Sequence, residues 1–505
     1  MRTFGPRAVR ALGTTAVVAA VFVTPGIAAA APGDSGSPRF TAGATGAGDA
    51  YFPYAGAGGY DVLHYGLELR YSPPPPAPAP LEGRLTGTAT IELTATSDLD
   101  RFSLDLRGLD VASLTIDGHA ARELAGPSAS GQGQKGPVYW QEQDNDARVW
   151  ELTVQPRPKL HRGEHAVVVV HYGGTTGRPT DIEDALYGWV TTRDGAMVAN
   201  EPEAAMTWYP VSDHPTDKAT YDIAVTVPQG KVAVANGLPA GPPLTSNGWT
   251  RWAWHAPDPM ASYLSTASVG DYTLRASTSP DGTPIIDAID DSLTASNLAR
   301  TNASLAKQGA ILEFFADTFT PYPFVAAGAI VDDDSIGYAL ETQTRPIYSR
   351  GAGEGTVAHE LAHQWFGDSV SPARWKDIWL NEGWATYCSW LWADHSGGQS
   401  VQSAFEDVMA IPADDEFWQL DVTDPQPLGL FDDAVYDRGA AAIHALRQQV
   451  GDDAFSAATR LWLTRYKGST ATTEDFQRVY EEVSGQDLDA FFDTWLRQPA
   501  RPSQP

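Results

Sequence analysis

The stretch Gly355–Asp368, GTVAHELAHQWFGD, carries two histidines four residues apart, with a glutamate directly after the first: His359, Glu360 and His363. On a helix the two imidazoles stand one turn apart on the same face, with Cβ atoms about 6 Å apart. That spacing lets two ring nitrogens reach one zinc ion at about 2.0–2.1 Å. Glu360 lies beside them, placed to act on a water that the metal activates rather than on the metal itself. A catalytic zinc site also needs a third protein ligand and an open fourth position. Glu382, with eighteen residues between it and His363, sits in DIWLNEGWATY near the start of a second apolar stretch, Leu380–Trp392. A helix there, packed on the first, presents Glu382 to the metal and completes a His2Glu set for one Zn2+ per chain. Cys388, the sole cysteine, is not required as a ligand and reads as a small core residue.

Two metal-holding helices need dense backing. Trp365, Phe366, Trp379, Trp384, Tyr387 and Trp390 are expected to supply it as core residues. Asp377 and Asn381 are candidate partners for the second N–H of each histidine. Upstream, segments such as YDVLHYGLELRY (Tyr60–Tyr71) and LTGTATIELTAT (Leu85–Thr96) alternate apolar and polar residues, the period of a half-buried strand. Residues 50–272 are therefore expected to form an all-β domain, interrupted by solvated loops at Ser72–Pro80 and Gly126–Pro137. Beyond Asp271 the period changes to three and four residues, in SLTASNLARTNASLAKQGAILEFFADTF and TTEDFQRVYEEV. Residues 273–500 are expected to form a mixed, mostly helical domain. Residues 32–49 are expected as a flexible lead-in and 501–505 as a frayed tail.

The chain opens with Arg2, Arg7 and Arg10, an apolar run from Ala11 to Val23, and the small residues Ala28–Ala31. That order marks residues 1–31 as a secretory signal peptide. Its apolar run falls short of the roughly 20 residues a membrane span needs, and no second candidate span follows. A secreted, extracellular protein is the expectation. With 63 Asp and Glu against 34 Lys and Arg, the net charge is −29. Such a surface excludes nucleic acid as a partner, because phosphate binding needs an excess of cations. No sequence feature indicates an oligomeric state.

HELAHQWFGD followed by WLNEGWATY resembles the aminopeptidase N type of gluzincin zinc metallopeptidases, a family that includes the leukotriene hydrolase. DVLHYGLEL, NEPEAAMTWYPVSDHPTDKATY, PMASYLSTASVGDY and DLDAFFDTWL extend the similarity across nearly the whole mature chain. The resemblance implies a multidomain α+β architecture: an N-terminal all-β domain with a saddle-like sheet, then a thermolysin-like, mostly helical catalytic domain. In the family a G-A-M-E-N strand binds the substrate's free α-amine through its glutamate. GYALETQ here puts Glu341 in that role, with Ala339 also facing substrate and departures at Tyr338, Leu340 and Thr342. A second amine-binding position falls on Glu201 of NEPEAA, with Ala199 where the family often has Gln. Tyr436, in DDAVYDRGAAAIHALR, matches the family tyrosine that donates to the oxyanion. Arg438 and His444, just beyond it, read as structural. The implied function is hydrolysis of the N-terminal peptide bond of peptides with free N-termini. The alternatives are a zinc endopeptidase or epoxide-hydrolase-like relative, or a non-catalytic peptide-binding protein on the same scaffold.

Overall fold

The computed structural model describes residues 39–127 and 135–503. The signal peptide expected at 1–31 lies outside them, as does most of the Gly126–Pro137 loop. Alternation produces strands where the sequence implies them. In the strand Tyr60–Ser72 the buried positions are Tyr60, Val62, Tyr65, Leu67, Leu69 and Tyr71. The phase slips by one between Val62 and Tyr65, where the register with the neighbouring strand Gly83–Ala95 also shifts. Tyr60–Ser72 pairs antiparallel with Gly83–Ala95 on one side and parallel with Ala219–Pro228 on the other. These strands lie side by side, towards one end of a thirteen-stranded sheet that dominates the first domain. A separate four-stranded sheet contains Gly188–Thr191 and Ala196–Ala199, all eight residues of which are buried.

The second domain begins on a four-stranded sheet ordered Tyr272–Thr278, Pro284–Asp290, Ala327–Asp332 and Ile347–Ser349. Its helices are α1 (Ala295–Leu305), α2 (Gln308–Thr318), α3 (Glu354–Ala362), α4 (Trp379–His395), α5 (Val401–Met409), α6 (Gly439–Val450), α7 (Asp452–Arg465) and α8 (Thr473–Ser484). The helical stretch read from Ser292 to Phe319 is thus two helices. The α8 pattern TTEDF starts with a capping box, in which Thr472 and Asp475 satisfy each other's backbone N–H. Helix α4 packs between α3 and α6. Among the described residues no helix is long and apolar enough to cross a membrane.

One expectation is corrected at the start of the described chain. Residues 41–49 are held, not flexible. Thr41–Ala42 pairs parallel with the strand Leu99–Asp105, and Thr41 N donates to Asp98 O at 3.0 Å. Asp49 is buried, and its carboxylate accepts from Tyr51 N at 2.7 Å and from Trp375 N at 2.8 Å. Main-chain bonds and one carboxylate fix this segment, so it carries no apolar period for sequence analysis to detect.

Arg438 is structural, as the sequence implied. It is fully buried and donates to four carbonyls: Trp495 O (2.7 Å), Trp418 O (3.1 Å), Leu420 O (3.0 Å) and Gln498 O (2.7 Å). The guanidinium thereby pins the end of the domain to the turn that carries Tyr436. Arg438→Met leaves those carbonyls without a donor and is expected to cost about 3 kcal/mol or more. A thermal melt several degrees below wild type is the expected reading, and an unchanged melt would contradict this role.

Candidate active site

Helix α3 is apolar on its inner side through Val357, Ala358, Leu361 and Ala362, all buried. His363 N still donates to His359 O at 3.3 Å, so one helical turn carries both imidazoles. Glu382 lies in the first turn of α4, where the helix dipole favours a carboxylate. Its Oε2 is 3.2 Å from His359 Nε2 and 3.5 Å from His363 Nε2. Tetrahedral ligands at 2.0–2.1 Å from a zinc ion are about 3.3 Å apart, so these three donors fit one such ion. The ring nitrogen of His363 that faces away, Nδ1, lies 3.0 Å from Phe366 O. A carbonyl can only accept, so Nδ1 carries the proton and Nε2 is left free as a ligand atom.

That carbonyl does what Asp377 or Asn381 was expected to do. Asp377 instead accepts from Arg374 and from the N–H and hydroxyl of Thr473. Asn381 Nδ2 donates to the Tyr263 hydroxyl at 3.3 Å. Both residues brace neighbouring elements, and neither touches a ligand histidine. The aromatic set is core as expected: Phe366 stacks on Trp384 at 4.3 Å and 6°, and Trp365, Trp379 and Tyr387 are buried with them, while Trp390 is packed at the edge. Cys388 is buried in α4.

Glu341 lies in the segment between the strands Ala327–Asp332 and Ile347–Ser349, fixed by paired bonds between Leu340 and Ile347. Gln364, next to His363, donates to Glu341 O at 3.1 Å and accepts from Thr344 N at 2.8 Å, so it ties this segment to the histidine turn. Glu201 follows the strand Ala196–Ala199 in the first domain. One oxygen each of Glu201, Glu341 and Glu382 lie within 4.8 Å of one another. Glu201 Oε1 and Glu341 Oε1 are both cut off from solvent and have no hydrogen-bond partner. Tyr436 sits in a π-helical turn, Ala434–Arg438, with its ring stacked 6.1 Å from that of His359. Helix α4 meets the start of α6 through two glycines. A Cβ on Gly383 would lie 2.9 Å from the Gly439 carbonyl carbon, and one on Gly439 would lie 3.0 Å from Gly383 Cα.

All eight predicted site residues line one cavity of about 550 Å³: Glu201, Ala339, Glu341, His359, Glu360, His363, Glu382 and Tyr436. Asp181, Glu183, Thr356, Thr386 and Phe431 line it too, and sequence patterns did not single them out. Asp181 and Glu183 come from a loop with no period, held near the site because the Tyr338 hydroxyl donates to Leu186 O at 2.8 Å. Gln364 was legible only as a neighbour of the histidine motif.

The charges interact strongly. Burial pushes the Glu201 carboxyl well up, and the charges of Glu341 and Glu382 push the same way. Burial likewise raises Glu341 and Glu360, each against the pull of His363. Burial would raise Glu382 too, but His363 and the hydrogen bond from His359 hold it down at about 2. Burial lowers His359, while His363 is raised because Glu341 and Glu382 outweigh its burial. Burial and the nearby carboxylates keep the Tyr436 phenol protonated.

The comparisons agree with this geometry. The model of the peptidase M1 N-terminal domain matches residues 62–264, and that of the peptidase family M1 domain matches residues 338–495. Glutamyl aminopeptidase of Sus scrofa is 24% identical over 87% of this chain and 47% of its own length. That of Rattus norvegicus is 28% identical over 63% of this chain and 36% of its own. The chain thus spans less than half the length of these relatives. A crystal structure of an M1 zinc metallopeptidase from Deinococcus radiodurans superposes with a TM-score of 0.79 at 27% identity, covering 91% of this chain and 98% of that one. A mutant of the Deinococcus protein bound to a Tyr-Ser-Ala substrate gives 0.78. The metal that the two imidazoles and the carboxylate fit is zinc. With both domain models matched in order and the zinc donors converging where the second one lies, the chain belongs to peptidase family M1.

Proposed function

We propose that this protein is a zinc-dependent aminopeptidase that removes the N-terminal residue of peptides with a free α-amine. One observation carries the reading. Glu201 and Glu341 bury a carboxylate oxygen each, without a donor, beside the metal donors. Two like charges held this way are costly unless a cation joins them. A substrate ammonium group supplies that cation and three N–H donors. Anchored so close to the metal donors, it leaves only the first peptide bond within reach of the chemistry.

His359, His363 and Glu382 would hold the zinc. When bound, zinc supplies a Lewis acid that lowers the pKa of a water to about 7 and polarises a carbonyl. Glu360, buried beside the donor histidines and lining the same cavity, would accept the proton of the attacking water and pass one to the departing amine. Tyr436, held protonated, donates to the oxygen on which negative charge develops. Ala339 adds no side-chain bulk where the substrate backbone passes. The tripeptide-bound Deinococcus neighbour and the aminopeptidase relatives support a peptide substrate. The order of basic, apolar and small residues in the first 31 positions supports export as the setting.

Four measurements test the proposal. Aminoacyl and free-amine peptide substrates are expected to turn over while their N-acetylated counterparts do not, and Glu341→Gln should raise KM for the free amine by about 10–100-fold. Equal cleavage of blocked and free peptides would make the protein an endopeptidase. Glu360→Gln is expected to abolish turnover with stoichiometric zinc retained by metal analysis, and near-normal turnover would remove Glu360 from proton transfer. Tyr436→Phe should lower kcat by about 10²–10³ with KM little changed. An unaltered kcat would show that the hydroxyl does not serve the oxyanion.

A further inference from the structure

Carboxylates gather a second time, outside the cleft. The strands Pro284–Asp290 and Ala327–Asp332 run parallel and end side by side, so Asp290 and Asp332 close them and Asp333 follows. From the first domain, the turn between Gly188–Thr191 and Ala196–Ala199 brings Asp194 to the same place. One oxygen each of Asp194, Asp290 and Asp333 lie within 4.8 Å of one another.

Local donors account for most of the oxygens. Asp194 accepts from the Thr192 hydroxyl at 2.9 Å and from Asp271 N at 2.8 Å. Asp332 accepts from the Tyr272 hydroxyl and from Asp334 N. Asp290 Oδ1 accepts from Ser292 N at 2.6 Å. Asp290 Oδ2 differs: the residue is 2% exposed, and this oxygen is shut off from solvent without any hydrogen-bond donor. Leaving a buried carboxylate oxygen unpaired is costly, and two more carboxylates beside it add repulsion. Burial first, then Asp194 and Asp333, push the Asp290 carboxyl up to about 6 against the Ser292 N–H. One nearby cation reaches the cluster from its Asp194 side, and the other pairs outside it. Lys231 Nζ is 2.7 Å from Asp271 and 3.7 Å from Asp194, and Arg178 pairs with Asp334 at 3.0 Å. Arg350 acts on Asp333 only at longer range. Among the described residues neither Asp290 nor Asp333 has an ion-pair partner.

We propose that Asp194, Asp290 and Asp333 bind a calcium ion. All three donors are hard oxygens, with no imidazole or thiolate among them, which selects against zinc and copper. Calcium accepts six to eight oxygens in flexible geometry, whereas magnesium demands a near-ideal octahedron, and three carboxylates drawn from separate strands and a turn suit the more tolerant ion. Asp333 is exposed, so water completes the sphere on that side. A site with three side-chain ligands belongs with calcium modules of Kd about 10⁻⁴–10⁻³ M. Its place in the chain gives it a structural task. Asp194 precedes Glu201 by seven residues and Asp333 precedes Glu341 by eight, so the ion joins the two segments that lead to these buried carboxylates.

The test uses zinc-loaded full-length protein titrated with calcium chloride, with magnesium chloride and sodium chloride at matched ionic strength as controls. Calcium is expected to raise the melting temperature by several degrees with half-saturation at about 10⁻⁴–10⁻³ M, and calorimetric titration should give one site. Asp333→Asn changes an exposed side chain and is expected to fold, melt at or above the calcium-free wild type, and lose the calcium-dependent rise. Asp194→Asn should lose it as well. A wild-type melt that responds to calcium no more than to magnesium or sodium overturns the proposal, as does an Asp333→Asn variant that keeps the full calcium response. Neither readout uses turnover, so the result stands apart from the aminopeptidase reading.

Discussion

Asp181, Glu183, Glu201, Glu341, Glu360 and Glu382 line one cavity, with no Lys or Arg among the lining residues. So much negative charge in one enclosed space is unstable by itself, and each feature of the cleft answers to it. His363 is driven to take up charge, and Glu382 is held ionised in return. A divalent ion replaces that exchange when it occupies the donors, because metal ligation releases the histidine proton. Glu201 and Glu341 each keep a buried oxygen without a hydrogen-bond donor, a pair that a cationic group from outside would relieve. The proposed preference for a free amine and the affinity for a metal would both follow from the same surplus.

The surplus persists because the walls are dry and rigid. Phe366 and Trp384 stack behind the two ligand helices, with Trp462 beyond Phe366 at 5.9 Å. Low polarity there strengthens every charge interaction in front of it. Glu201 and Glu341 arrive from different domains; Gln364 ties the Glu341 segment to the histidine turn, and Tyr338 ties it to Leu186 of the first domain, each through a main-chain carbonyl. Position is therefore set by backbone contacts, while side-chain identity sets chemistry.

This division explains what the sequence could reveal. The histidine turn and Glu382 were legible because helical period and ligand spacing constrain residue type. The strands Tyr60–Ser72 and Gly83–Ala95 were legible because one face of each is buried, whereas Gly188–Thr191 and Ala196–Ala199 are buried throughout and leave no alternation to read. The partner of His363 was not, since a carbonyl such as that of Phe366 leaves no mark on residue identity. Asp377 and Asn381 have the right chemistry for that task but point to Arg374, Thr473 and Tyr263. Residues 41–49 escaped for a related reason: main-chain pairing and the single carboxylate of Asp49 hold them, with no repeating apolar pattern. Asp181 and Glu183 lie in a loop held by long-range contacts, among them Tyr338 to Leu186, Arg107 to Thr180 and Arg178 to Asp334, which local periodicity does not encode.

Gly383 follows the ligand Glu382, and Gly439 comes three residues after Tyr436; the two touch with only hydrogen atoms between their backbones. The gap between the metal-facing carboxylate and the phenol is thus gauged by two missing methyl groups. An alanine at either point would press on the facing backbone and force the two helices apart, so the spacing between the helix of Glu382 and the turn of Tyr436 can be altered without changing either residue.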